Sequence, residues 1–352
     1  MEGGPGDAKS PPCAAPPVGA RLGTRSLIGE DGAVPPLPFH SSDEFLRAFA
    51  EVYFPGAKPA YVTCEGATVR TLLSGNRAIS GYWNFPAQLQ PVEPPPGVTP
   101  VPVPYLENVV VAVTGIDEPG PAGAKPSPFI RWGDFPAWED YEAFAQARGA
   151  GARFASLRRA EKRLGDAHGW VEFREHDRDP ALFEQVLTLK REQLDRMGVA
   201  NRYRVEQNVR FLRKLWERGL LEGSSVRVGG EIAAGRLWHR WGGHQIWRII
   251  AYDPRFAKHS PGMVLLGHML RAGYEAGDEE TEFLSGRQEF KLAYATHMRW
   301  LGAYGREPFR ERAWRGRRSR ASRGAMRAPA AYRVAKRVEL EAAAVLRRGR
   351  QR

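Results

Sequence analysis

The sequence predicts a mixed α/β chain with mostly antiparallel sheets flanked by helices, and three observations predict it. Strand-like runs at Val226 to Val228, Glu231 to Trp241 and Gln245 to Tyr252 are joined by Gly229-Gly230 and Gly242-Gly243. Such two-residue glycine connections are what tight hairpins require, so the segment reads as an antiparallel meander. Ser260 and Pro261 then supply an N-cap and a first-turn proline for a helix with Met263, Leu266, Leu270 and Tyr274 along its buried stripe. At 352 residues the chain holds roughly two domains.

Taken in order, residues 1–37 are rich in Pro, Gly and Ala without an apolar period, the composition of a disordered leader. Ser41-Ser42-Asp43 caps a helix carrying Phe45, Phe49, Val52 and Tyr53. Strands are expected at Ala60 to Cys64, Val69 to Leu73, Val109 to Val113 and Phe129 to Trp132, with a Pro-rich loop from Pro91 to Pro104 among them. Helices are expected at Trp138 to Ala147 and Ala152 to Leu164, closing a first domain over 38–166.

The second domain, 167–309, begins with a strand at Trp170 to Arg174. A helix from Pro180 to Met197 follows, with Leu182, Val186, Leu189 and Leu194 on one stripe, and then another from Val205 to Arg218. After the meander and the Ser260 helix, Glu282 to Ser285 reads as a strand and Gly286 leads into a short helix with Lys291 and Tyr294.

The net charge of +12 invites a nucleic-acid reading, but its distribution argues otherwise. Residues 310–352 carry 15 Lys and Arg against 3 acidic residues, which accounts for the whole excess. Cys13 and Cys64 have neither disulfide-framework nor metal spacing, and the longest apolar run, Val109 to Val113, is strand-sized. With no basic-then-apolar leader, the expected compartment is the cytoplasm. Phosphate-loop, dinucleotide, zinc-protease and serine-hydrolase motifs are absent from the sequence, and His239, His244, His259 and His268 do not form a metal spacing, so no metal is expected.

The chemistry points to the Ser260 helix. A helix amino terminus offers unpaired N–H groups and positive potential, and so receives phosphate. Gly262 lets a diphosphate approach the amides of Gly262 and Met263, while Lys258, His259 and Ser260 add polar groups. Asp253, at a strand end beside this loop, is a candidate base; its competing role is to start the Asp-Pro turn.

Ile249-Ile250-Ala251-Tyr252-Asp253-Pro254, Ser260-Pro261-Gly262-Met263-Val264-Leu265-Leu266, and Glu282-Phe283-Leu284-Ser285-Gly286 with Phe290-Lys291 resemble GNAT acetyltransferases of the cellulose-biosynthesis (CelD) type. These are relatives of the FemAB peptidyltransferases. Pro38 to Ser41, Phe45 to Phe49 and Arg158 to Glu161 extend the resemblance over roughly 38–305. It implies two GNAT-like domains in tandem, with acetyl-CoA or another acyl-CoA as donor. The acceptor would be an amine or hydroxyl of a small molecule or of a cell-envelope or polysaccharide precursor. The loop offers Ser260-Pro261-Gly262 with a single glycine, where the usual GNAT phosphate loop carries a Gln or Arg and two glycines.

The resemblance further implies that strands around Ala251 and Ser285 splay to admit pantetheine, giving a donor set of Ile250, Ala251, Tyr252, His259, Ser260, Gly262, Met263 and Ser285. It places Tyr294 where the family keeps a general acid, against the alternative of a core aromatic. Lys291 follows the family's aromatic position and would hold a phosphate or an acidic acceptor group, against the alternative of a solvated lysine. Two other functions stay open: aminoacyl-tRNA-dependent peptidyl transfer, and a non-catalytic scaffold. In the scaffold reading the basic tail touches RNA or an anionic membrane; a solvated extension is the competing account.

Overall fold

The structure, a computed structural model, describes residues 38–75, 77–79, 88–149, 151–199 and 201–306. The expected leader over 1–37 and the basic tail over 310–352 lie outside the described residues. Among those described, no helix is long and apolar enough to cross a membrane.

Two sheets organise the chain. The smaller has strand order β3-β2-β1-β4, from β1 (Lys58–Cys64), β2 (Ala67–Ser74), β3 (Arg77–Ile79) and β4 (Val101–Pro102). Its own small core contains Val62, Cys64, Val69, Leu89 and Leu106. The larger sheet consists of β5 (Tyr105–Gly115), β6 (Lys125–Arg131), β7 (Val171–Arg174), β8 (Glu222–Val228), β9 (Glu231–Trp241), β10 (His244–Tyr252), β11 (Glu280–Glu282) and β12 (His297–Gly305). Its order is β5-β12-β6-β11-β10-β9-β8-β7. The sheet is therefore continuous across the domain boundary expected at 166, which falls inside helix α3 (Gly151–His168).

The meander β8-β9-β10 is antiparallel throughout, and Gly229, Gly230, Gly242 and Gly243 all adopt the positive φ that its two-residue turns need. β11 differs from expectation. It spans Glu280 to Glu282 rather than Glu282 to Ser285, and it joins β10 in parallel and β6 antiparallel. Three pieces were not expected at all: β12, the short β3, and β4, which forms within the Pro-rich stretch.

Helices cover both faces of the large sheet. On one face lie α1 (Asp43–Tyr53), α4 (Pro180–Arg196) and α5 (Glu206–Glu217), sharing a core with Leu237, Ile246, Ile249 and Ala251. On the other lie α2 (Trp138–Ala147), α3 and α6 (Pro261–Glu275), packed with Ala234, Trp238 and Trp247. A last short helix, α7 (Glu289–Tyr294), precedes β12.

Local chemistry starts these helices where it should. Ser42 accepts from the Phe45 N–H to cap α1, and Asp179 accepts from the Ala181 N–H, with Pro180 in the first turn, to start α4. The close seating of α4 on β9 explains a strand glycine. A Cβ at Gly235 would stand 2.5 Å from Val186 Cγ2 and 2.7 Å from Leu182 Cδ1. Gly235→Val is therefore expected to lower unfolding free energy by about 1–3 kcal/mol through overpacking, measured by denaturant titration. An unchanged midpoint would show that α4 is free to shift.

Candidate active site

Two parting strands and a helix end define the site. β10 pairs with β11 only between His244 and Ile246, opposite Glu280 to Glu282. Beyond that point β10 follows β9 to Tyr252, whereas the other chain stays with β6: Phe283 N–H donates to Pro128 O at 3.1 Å and Gly286 N–H to Pro126 O at 3.0 Å. A wedge opens between the two. Leu284, on one wall, has φ 59, an unusual conformation for a buried leucine.

On the other wall, the register of β10 shifts between Trp247 and Ile249, leaving Arg248 as a bulge residue. The bulge turns Arg248 toward the α4 face, where its Nε donates to His239 Nε2 at 3.2 Å and an Nη lies 3.2 Å from His40 Nε2. Burial, followed by the charge of Arg202, lowers the Arg248 pKa to about 10. Burial, with Arg248 beside it, lowers His40 to about 3, so this imidazole is neutral at physiological pH.

Each wall carries a lysine. Lys190, on α4, donates to Ile250 O at 3.1 Å. Lys291, on α7, donates to Leu284 O at 3.2 Å and Ser285 O at 3.1 Å. Burial and then the charge of Arg202 lower both ammonium groups to about 8. At the narrow end sits Glu282. Burial disfavours its carboxylate, but Arg299 and then His244 outweigh that and hold it at about 2.

His244, Glu280 and Glu282 also have metal-ligating atoms within 4.8 Å of one another. Arg299 shares both carboxylates, reaching Glu282 at 3.4 Å and pairing closely with Glu280. With a guanidinium already bound, the group is an ion-pair cluster.

The amino end of α6 lies beside the far end of β10. A Cβ on Gly262 would stand 3.4 Å from Tyr252 Cδ1 and 4.0 Å from Ile250 Cδ1, so Ile250, Tyr252 and Gly262 are neighbours. Ser260 departs from expectation. It takes the left-handed conformation, φ 51 and ψ 48, and its side chain makes no capping hydrogen bond. Its carbonyl accepts from both Met263 N–H and Val264 N–H, so the Met263 amide expected to meet phosphate is already engaged and Gly262 supplies the amide that remains.

His259 is buried, and neither ring nitrogen has a hydrogen-bond partner among the described residues. Burial and then the charges of Lys258, His168 and Arg163 lower its pKa, which marks this helix end as electropositive.

Of the remaining expected residues, Ala251 is buried in the core on the α4 face and Ser285 lies on the wedge wall. Asp253 is a turn carboxylate: it accepts from Arg255 N–H at 2.9 Å and from the Arg255 guanidinium at 2.9 and 2.8 Å. Burial acts against this carboxylate and Arg255 outweighs it, lowering the pKa; the geometry is that of the competing Asp-Pro turn. Tyr294 is fully buried against Phe154, and its carbonyl accepts from Tyr141 O–H at 2.8 Å, the setting of a core aromatic.

Sequence reasoning missed Lys190, Arg202, Arg248 and Glu282. A signal existed for two of them. Lys190 falls four residues after Val186, where the apolar stripe of α4 calls for another apolar side chain, and Arg248 interrupts an apolar strand.

Residues 151–292 match the family described as Acetyltransferase (GNAT) domain. No curated protein matches the sequence significantly. Among solved structures, FemX is similar at 10% identity, covering 75% of this chain and 90% of its own, with a TM-score of 0.47. L-PGS from Bacillus licheniformis gives 12% identity, 76% and 93% coverage and a TM-score of 0.42. A conserved protein of unknown function from Bacteroides thetaiotaomicron VPI-5482 gives 12%, 74%, 89% and 0.41.

Proposed function

We propose that the chain is a GNAT acyltransferase of the CelD type, moving an acetyl or other acyl group from acyl-CoA to an amine or hydroxyl. The acceptor belongs to a small molecule or to a cell-envelope or polysaccharide precursor. The observation that carries this reading is the parting of β10 from the 283–286 segment next to the electropositive end of α6.

The diphosphate of the donor lies at Gly262, with Ser260 and His259 beside it, and the pantetheine arm enters the wedge past Ile250 and Ser285. The acceptor attacks the thioester carbonyl, the new C–N or C–O bond forms, and the C–S bond breaks. The departing thiolate takes a proton from the Lys291 ammonium, while the acceptor loses its own proton to solvent. Water is kept from the carbonyl by the buried walls, where a fixed positive charge stabilises the developing oxyanion.

Calorimetric titration with acetyl-CoA tests the donor site. Saturable binding is expected in the wild type. A loss of at least ~10²-fold is expected in Gly262→Asp, since like charges about 4 Å apart near a protein surface repel by about 4 kcal/mol before screening. The substitution suits the fold, because the contacts awaiting a Cβ there are ordinary and an acidic residue favours a helix start. Equal binding in both proteins would sink the assignment, and no binding in either would turn attention to aminoacyl-tRNA donors.

A further inference from the structure

Helix α4 reaches the wedge at one atom, Ile250 O. In an antiparallel ladder the backbone groups of successive residues point alternately at the partner strand and away from it. Asp253 N–H donates to Ala233 O of β9 at 2.9 Å, and the register runs unbroken from there back to Ile250 opposite Arg236. Ile250 therefore directs its carbonyl away from β9, into the wedge. Lys190 Nζ donates to that carbonyl at 3.1 Å and so stands in the opening. Its other partner is Gln193 Oε1 at 2.9 Å. Both partners are neutral acceptors. Together they use the two N–H groups of an uncharged amine and leave its lone pair free, whereas an ammonium would keep a third N–H to satisfy. Burial and then the charge of Arg202 favour the same uncharged form, lowering the pKa to about 8. The nearby carboxylates are engaged elsewhere: Asp253 is bound by Arg255, and Glu282 by Arg299 and His244.

We infer that Lys190 is the catalytic base for the acceptor, its uncharged amine taking the proton that the attacking amine or hydroxyl sheds and passing it to solvent. This rests on the acyltransferase reading and adds a residue to it. The acceptor's lone pair forms the bond to the thioester carbon, its N–H or O–H proton moves to Lys190 Nζ, the C–S bond breaks, and the thiolate is protonated by Lys291. The two lysines reach the wedge from opposite faces. Lys291 comes with α7, whose Phe290, Ala293 and Tyr294 pack in the core on the α6 face, where the donor lies. Lys190 comes with α4 from the other face, which is left to the acceptor. Lys190 is only half-buried, so its proton can return to water. The elements packed against α4 bring no free acid to it. The 3-10 turn Arg202–Arg204 carries Arg202, and Arg204 on that turn is paired with Asp195 of α4. β10 carries Arg248, and β9 carries His239, whose pKa burial lowers well below its ordinary value.

The test follows thiol release from acetyl-CoA by the full chain with ethanolamine as acceptor, a compact probe bearing both an amine and a hydroxyl. Lys190→Met is expected to slow release by at least ~10²-fold while the calorimetric acetyl-CoA Kd stays nearly unchanged. Lys190→Arg keeps the charge and the N–H donors but cannot lose a proton in this range, so it should be as slow as the methionine variant. The uncharged form is the base, so the ratio of wild-type to Lys190→Arg rates should rise as pH passes through about 8. Lys291 contributes the opposite, falling limb, which this ratio cancels. Lys190→Arg at wild-type speed would show that a cation on Ile250 O suffices, and would overturn the proposal; a ratio constant with pH would overturn it too. Wild-type release matched by Lys190→Met would remove Lys190 alone. No release above the protein-free rate in the wild type would overturn the acyltransferase reading and this proposal with it.

Discussion

Replacing Lys291 with methionine is expected to slow acyl transfer by about 10²–10⁴-fold while leaving the acetyl-CoA Kd nearly unchanged. That is the usual worth of a positioned proton donor combined with a fixed charge at an oxyanion. The side chain is held by two carbonyls of the wedge wall, and a methionine of similar length fills its path without donating a proton. The pH profile separates this role from packing. Lys291 has its pKa lowered to about 8, mainly by burial, and the cationic form is the proton donor. Turnover at saturating substrates should therefore fall as pH rises through about 8. Lys291→Arg keeps its charge across that range, so the ratio of wild-type to Lys291→Arg rates should fall over the same interval, cancelling the acceptor's own ionisation. A constant ratio, or a methionine variant at wild-type speed, would remove Lys291 from the chemistry.

The second large effect concerns stability. Glu282→Gln is expected to lower unfolding free energy by about 3–5 kcal/mol, because it strips a buried carboxylate from Arg299 and His244. Its sign with pH follows from the depressed carboxyl. Glu282 falls from its ordinary 4.5 to about 2, so the ionised form is favoured in the folded chain. The stabilisation, about 3 kcal/mol, is fully present above pH 4.5 and is lost as pH falls toward 2. Thermal melts of wild type and variant should thus differ by several degrees near neutrality and converge in acid. Parallel melting curves down to pH 3 would show that the charge of Glu282 is not what holds the end of β11.

Local chemistry made much of this molecule readable. The two Gly-Gly pairs announced the meander because a two-residue turn demands positive φ, and Pro261 announced α6 because a first-turn proline sacrifices no hydrogen bond. That Ile250 and Tyr252 belong beside Gly262 was implied by the family resemblance and not by local chemistry. What escaped depends on partners distant in sequence. Whether Phe283 to Ser285 continues β11 is decided by the carbonyls of Pro128 and Pro126, and no local period records them. β12 was missed because its partners β5 and β6 lie far upstream. Ser260 read as an N-cap by residue type, yet its left-handed backbone turns the hydroxyl away from that bond. Arg248 is visible in the sequence only as a charge out of place; the bulge that gives it a direction is a property of the paired strands.

The seating of β12 between β5 and β6 has a consequence for how the protein is made. Both neighbours leave the ribosome long before residues 297–305, so the nascent chain must carry two strands with unfilled hydrogen-bonding edges while α3 to α7 are synthesised. Such edges are templates for wrong pairing, and contacts of such wide sequence separation form slowly. The large sheet is completed only after its last strand emerges, which makes the interval between synthesis and closure the time when this chain is most exposed to aggregation and most in need of a chaperone.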